Sequence, residues 1–157
     1  MKIILLSITF FSSILLHSQS VTIKNILSIN TFERNVKEVL FQKKISDNNS
    51  NFVLKAENRS SKDFTKCKWI SLLSKEQLID FLSMLENSES GSSLDSPFFT
   101  VVYKKKKIKI QVKSTKCTGE HKTHYFQQTC NRELSFVILP SQVSKIISEL
   151  RKEVQNI

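Results

Sequence analysis

Ile108, Ile110 and Val112 alternate with Lys107, Lys109, Gln111 and Lys113, and this strict period of two constrains the chain more than any other stretch. Successive side chains of a strand point to opposite faces, so such a segment lies with one face on a core and the other in water. Something apolar has to cover the Ile/Val face. The C-terminal segment can do so. After Pro140, residues Val143, Ile146, Ile147, Leu150 and Val154 recur at i, i+3, i+4, i+7 and i+11, the spacing of one apolar helix stripe.

The intervening elements follow from the same reasoning. Asn30-Thr31 reads as a cap for a first helix, with Phe32, Val36, Val39, Leu40 and Lys43 on one face. Residues 46–51 are a loop by composition, and Phe52 to Ala56 and Lys66 to Leu73 read as the two strands of a hairpin. Ser74-Lys75-Glu76-Gln77 matches a capping box, followed by Leu78, Ile79, Leu82 and Leu85 on one helix face. A Ser-rich loop around Gly91 leads to a strand over Phe98 to Tyr103. Lys104 to Lys107 then either turns into the alternating strand or continues a single long one. His124 to Thr129 and Glu133 to Leu139 complete the strands. The expected architecture is α+β: one antiparallel sheet of about six strands with two or three amphipathic helices on one face. Strand, Leu-Ser, helix at 66–87 is echoed by strand, Leu-Pro-Ser, helix at 133–154, and Thr65-Lys66-Cys67 by Thr115-Lys116-Cys117. Two such units share a binary pattern with or without duplication.

Ahead of all this stands Met1-Lys2, an apolar run from Ile3 to Leu16, and then His17-Ser18-Gln19-Ser20. That order is the positive, apolar and small-x-small plan of a secretory signal peptide, so residues 1–20 are expected to be removed between Ser18 and Val21. The run of fourteen residues is shorter than the ~20 a membrane-spanning helix needs. The mature chain, 21–157, is then expected to be a single globular domain, secreted or periplasmic.

The chain carries +10 at pH 7, and loss of Lys2 leaves +9. A hydrophobic content of 39% suffices for a core and argues against a disordered tail. Glycine occurs only twice, at Gly91 and Gly119, so phosphate-cradling loops and nucleophile elbows are excluded. There is no His-Glu-x-x-His, and Glu76, Asp80, Glu86 and Glu89 read as the solvated face of a helix and its trailing loop.

Two clusters stand out. Cys117, His121, His124 and Cys130 fall in a C-x3-H-x2-H-x5-C order. In an oxidising compartment the reading is a Cys117–Cys130 disulfide; a turn at Gly119 would bring Cys117 and the segment around His124 into adjacent strands. The disulfide loop would constrain the unfolded chain by roughly 3 kcal/mol. The alternatives are a pairing that involves Cys67, or a zinc ion on all four side chains. A Cys–His nucleophile lacks an activating helix N-terminus.

The second cluster is Lys104, Lys105, Lys106, Lys107, Lys109 and Lys113, with Lys116 and Lys122 beyond. It reads either as a solvated outer face that also blunts a sheet edge, or as a surface for an acidic protein, a glycan, a lipid surface or nucleic acid. Lysine rather than arginine dominates, and stacking aromatics are not interleaved. The expected function is a non-enzymatic binding module with a lysine-rich face and no cofactor. The alternatives are a small metal-binding protein or, last, an exported hydrolase. Composition leaves the oligomeric state open.

Overall fold

The structure is a computed structural model that describes residues 21–32, 36–46, 49–58, 64–113, 115–121 and 133–156. The chain forms β1 (Val21–Asn30), β2 (Glu38–Ser46), β3 (Asn49–Asn58), β4 (Phe64–Leu73), α1 (Lys75–Glu86), β5 (Ser93–Asp95), β6 (Phe99–Lys104), β7 (Lys107–Val112), β8 (Lys116–His121), β9 (Leu134–Ile138) and α2 (Pro140–Gln155). These strands make two antiparallel sheets, β1-β2-β3-β4-β8 and β5-β6-β7-β9. The expectation of one six-stranded sheet with two or three helices is therefore wrong. There are two sheets and, among the described residues, two helices.

The largest error lies at the N-terminal end. The helix expected over Phe32 to Lys43 does not form: β2 occupies Glu38 to Lys43, the second half of that stretch, and residues 33–35 lie outside the described residues. Val39, Phe41 and Lys43 are buried on one face of β2, with Glu38 and Lys44 exposed on the other. Val36, Val39, Leu40 and Lys43 match helical spacing by coincidence, whereas Phe41 fits only the period of two. Ladders to β1 and to β3 run the whole length of β2, from Glu38 to Ser46. Backbone pairing on both sides, together with β-branched Val39, overrides a helical pattern. Thr31 caps no helix. Its N–H donates to the Lys37 carbonyl at 2.9 Å and its hydroxyl donates to the Val36 carbonyl, closing the β1–β2 connection.

Other expectations match. The β3–β4 hairpin forms, and the capping box of α1 is complete: Gln77 N–H donates to Ser74 Oγ at 3.2 Å, while Ser74 N–H donates to Gln77 Oε1 at 2.9 Å. The buried face of α1 is Leu78, Phe81, Leu82 and Leu85, with Met84 beside it. Ile79 is 46% exposed, one position off the i, i+3, i+4, i+7 stripe that the others define. On α2, Ile146 and Leu150 are fully buried, with Val143, Ile147 and Val154 packed partly against them. Gln142 fastens the start of α2, accepting from Leu139 N–H at 2.8 Å and donating to the Asn30 carbonyl at 3.1 Å. A short strand, β5, lies inside the expected Ser-rich loop. The strand expected over His124 to Thr129 falls outside the described residues.

The buried residues of both sheets and both helices form one contiguous cluster. α1 touches β3 and β4 of the first sheet and β6 of the second; α2 packs on α1 and reaches β1. Each sheet's strands thus lead, at β4 and at β9, into one of two helices that pack on each other, which is the physical content of the sequence echo. Phe32 N–H donates to the Val137 carbonyl at 3.0 Å, linking the end of β1 to β9.

Candidate functional site: the lysine hairpin

β6 and β7 pair from Phe99↔Val112 to Lys104↔Lys107, so only Lys105 and Lys106 remain to make the turn. The long-strand alternative is excluded. Both turn residues have positive φ, 48° and 64°, the backbone of a type I′ turn, whose twist matches that of the flanking strands. Asn-Gly or Asp-Gly normally fills these two positions. For an L residue with a Cβ the left-handed region costs roughly 1–2 kcal/mol. The pair that closes the turn, Lys104↔Lys107, sets two cations directly opposite each other, which is also unfavourable.

Inside the hairpin the parity is the one expected. Ile108, Ile110 and Val112 are buried, Lys107 and Lys109 are exposed, and Gln111 is half-buried. Lys109 lies opposite Val102 on one side and Val137 on the other. Lys104 to Lys107 are exposed as well, and none of these five lysines is ion-paired among the described residues. The cations therefore concentrate at the hairpin tip.

Lys113 does not belong with them. At the opposite end of β7 its Nζ lies 2.5 Å from Asp95 Oδ1 and donates to the Ser96 carbonyl at 2.6 Å. The hydrogen bond that Lys113 donates to Asp95, seconded by one from Thr100, holds the Asp95 carboxyl below its ordinary value. Near the same end, Gln111 Nε2 donates to Glu133 Oε2 at 2.5 Å. The face is thus polarised along the strands, with unpaired cations at the turn and compensated carboxylates at the far end. Lys116 lies in β8 of the other sheet, and Lys122 is outside the described residues.

The cysteine–histidine cluster is only partly placed, because His124 and Cys130 lie outside the described residues. Gly119 is not at a turn. It sits within β8, whose register sets Cys67 opposite Gly119, Trp69 opposite Cys117 and Phe64 opposite His121. Cys67 and Cys117 therefore do not face each other directly. Among the described residues, no three His, Cys, Asp or Glu side chains gather into a set that could hold a metal ion.

A groove of about 420 Å3 that sequence reasoning did not find lies at one end of the first sheet, lined by Asn30, Lys37, Glu38, Leu40, Lys55, Ala56 and Glu57. Its two lysines and two glutamates balance, so it offers an anion no net attraction. It is assembled from three strands, which leaves no local signal in the sequence.

No protein-family model, curated protein or solved structure matches the chain.

Proposed function

We propose that this chain is an exported, non-enzymatic binding module whose hairpin tip, Lys104 to Lys107 with Lys109, engages an anionic partner. The observation that carries this reading is the conflict between the tip's sequence and its backbone. Lysine stands where a type I′ turn asks for Asn-Gly, and lysine faces lysine across the closing pair. A sequence chosen for folding alone would avoid both, and local rules broken without a compensating contact mark sites kept for another purpose. A tip of five cations with no ion-paired carboxylate among the described residues attracts an anion at long range, and the lysines contact it as flexible point charges. No described helix is long and apolar enough to cross a membrane.

The test is chromatography on a heparin-like resin. Wild type should be retained and should elute at a salt concentration that the triple variant Lys105→Glu, Lys107→Glu, Lys109→Glu no longer needs. The attraction is solvent-exposed, so it weakens steeply as the Debye length shrinks from about 10 Å at 0.1 M to about 3 Å at 1 M. A folded triple variant that elutes with wild type would reduce the tip to a solvated surface.

A further inference from the structure

A second surface, on the other sheet, points to a different kind of contact. The exposed face of the first sheet is not uniformly polar. On β4, Ile70 is 39% and Leu72 is 62% exposed, and they share this face with Val53 of β3, itself only 6% exposed, and with half-buried Leu40 of β2. The register sets Ile70 between Lys55 of β3 and Lys116 of β8, with Lys68 two residues back on its own strand. Val53 lies beside Leu72 on one side, while β8 begins opposite Ile70 and leaves Leu72 protruding at the end of its row. Single exposed aliphatics are ordinary on a protein surface. Two on one strand, continuous with further apolar side chains and bracketed by three lysines, form a patterned patch.

We propose that this face docks on an anionic bilayer, with Leu72 and Ile70 entering the headgroup–acyl boundary and Lys68 and Lys116 reaching lipid phosphates. The residue types select this occupant. Protein interfaces are depleted of lysine and rely on Trp, Tyr and Arg anchors, none of which lies in this patch. Nucleic acid has no use for protruding Leu and Ile, and among the described residues no stacking side chain stands beside them. A second copy would bring two positively charged chains together, each with the same lysine bracket. A lipid surface uses both features at once: aliphatic tips partition, and lysine stems snorkel so that their ammonium groups stay with the headgroups. Two carboxylates lie beside the patch: Glu57, opposite Lys68, and Glu38, opposite Glu57. With Lys37 and Lys55 they line the charge-balanced groove, so the attraction rests on Lys68 and Lys116.

Flotation of the mature chain with vesicles tests this. Binding should be seen with phosphatidylcholine vesicles containing phosphatidylglycerol and be absent with phosphatidylcholine alone. Leu72→Ser with Ile70→Thr keeps every charge and should lower vesicle partitioning about tenfold or more, from the apolar area withdrawn, while heparin retention stays at the wild-type value. Lys68→Gln with Lys116→Gln provides a second variant that leaves the apolar side chains in place, and it too should weaken flotation. Unchanged flotation of the folded Leu72/Ile70 variant would overturn the proposal, as would failure of wild type to float. If the chain instead elutes as a dimer that the Leu72/Ile70 change dissolves, the patch is a contact between copies and the lipid assignment falls. The hairpin-tip triple variant, which alters the other sheet, separates failure here from failure of the tip.

Discussion

Phe81 of α1 packs its ring on Phe99 of β6 with centroids 5.0 Å apart and planes inclined by 39°. The same ring stacks at 5.9 Å on Phe41 of β2. One helix side chain therefore touches both sheets, and all three rings are fully buried. Truncation at this point should damage both layers together. Phe81→Ala is expected to cost about 3–5 kcal/mol in urea unfolding, the range for a buried aromatic. A Phe81/Phe99 double-mutant cycle should return a coupling of about 0.5–1.5 kcal/mol. Additive losses would mean that the two rings do not share a site.

Elsewhere in the helices the stripe can be graded. Leu82 and Leu150 are buried, so Leu82→Ala and Leu150→Ala should each cost about 2–5 kcal/mol. Ile147, on the same apolar stripe of α2, is only partly buried. Its alanine variant should fall below both, and equal losses would show that α2 is rotated from the orientation described.

What the sequence disclosed and what it concealed divide along a physical line. Features specified within a few residues were legible: the Ser74–Gln77 box, the Ile108-Ile110-Val112 alternation, and the α2 stripe after Pro140. Features decided by distant partners were not. Val36, Val39 and Lys43 satisfy a helix period by accident, and only the flanking ladders of β1 and β3 make that stretch a strand. The split into two sheets depends on β4 finding β8 across α1 and the β5–β7 strands, a pairing with no local signature. Gly119 looked like a turn because glycine usually is one, yet it pairs with Cys67 in mid-ladder. At the candidate site, the lysines and their parity were legible. The turn was not, since Lys105-Lys106 carries none of the usual turn chemistry, and the pairing of Lys113 was not, since its partner Asp95 lies in β5, a three-residue strand inside a Ser-rich stretch.

The turn itself offers a gain of stability. Replacing Lys105-Lys106 by Asn-Gly puts residues tolerant of positive φ at 48° and 64° and should stabilise the fold by about 1 kcal/mol. Differential scanning calorimetry should show a melting temperature higher by a few degrees. The same variant should elute earlier from a heparin-like resin, because two tip cations are lost. Stability rising while retention falls would be the signature of a turn kept against its folding preference. A lower melting temperature would show that the turn is not of type I′.

Glu153 near the end of α2 joins the helix to the first sheet, with Oε1 2.5 Å from Lys24 Nζ and Oε2 3.5 Å from Lys43 Nζ. The Lys24 hydrogen bond, against some desolvation, holds the Glu153 carboxyl below its ordinary value of 4.5. A carboxyl depressed in the folded state adds stability that is fully present above the unfolded value and is lost as pH falls through the folded one. Stability should therefore decline below about pH 4.5, and Glu153→Gln should flatten that part of the decline. At neutral pH the substitution leaves the buried Lys43 ammonium without its carboxylate, at a cost of about 1–3 kcal/mol. In a Lys43→Met background the cost should shrink, since no buried cation is stranded; an undiminished cost would place the effect on Lys24 instead.

Lys113 and Lys109 belong to the same strand, yet they should answer different experiments. Lys113 is held by Asp95 and the Ser96 carbonyl, so its charge is already compensated and contributes little to an external anion. Lys113→Gln removes the largest influence lowering the Asp95 carboxyl. The side-chain carboxyl resonance of Asp95 should therefore titrate closer to 3.8 in the variant than in wild type. Elution from a heparin-like resin should stay where it was. Lys109→Gln should do the reverse, leaving Asp95 unmoved and eluting at lower salt. If Lys113→Gln shifts elution as far as Lys109→Gln does, the anion reads the whole strand face rather than its tip. The polarity along β7 would then be a feature of the fold with no part in recognition.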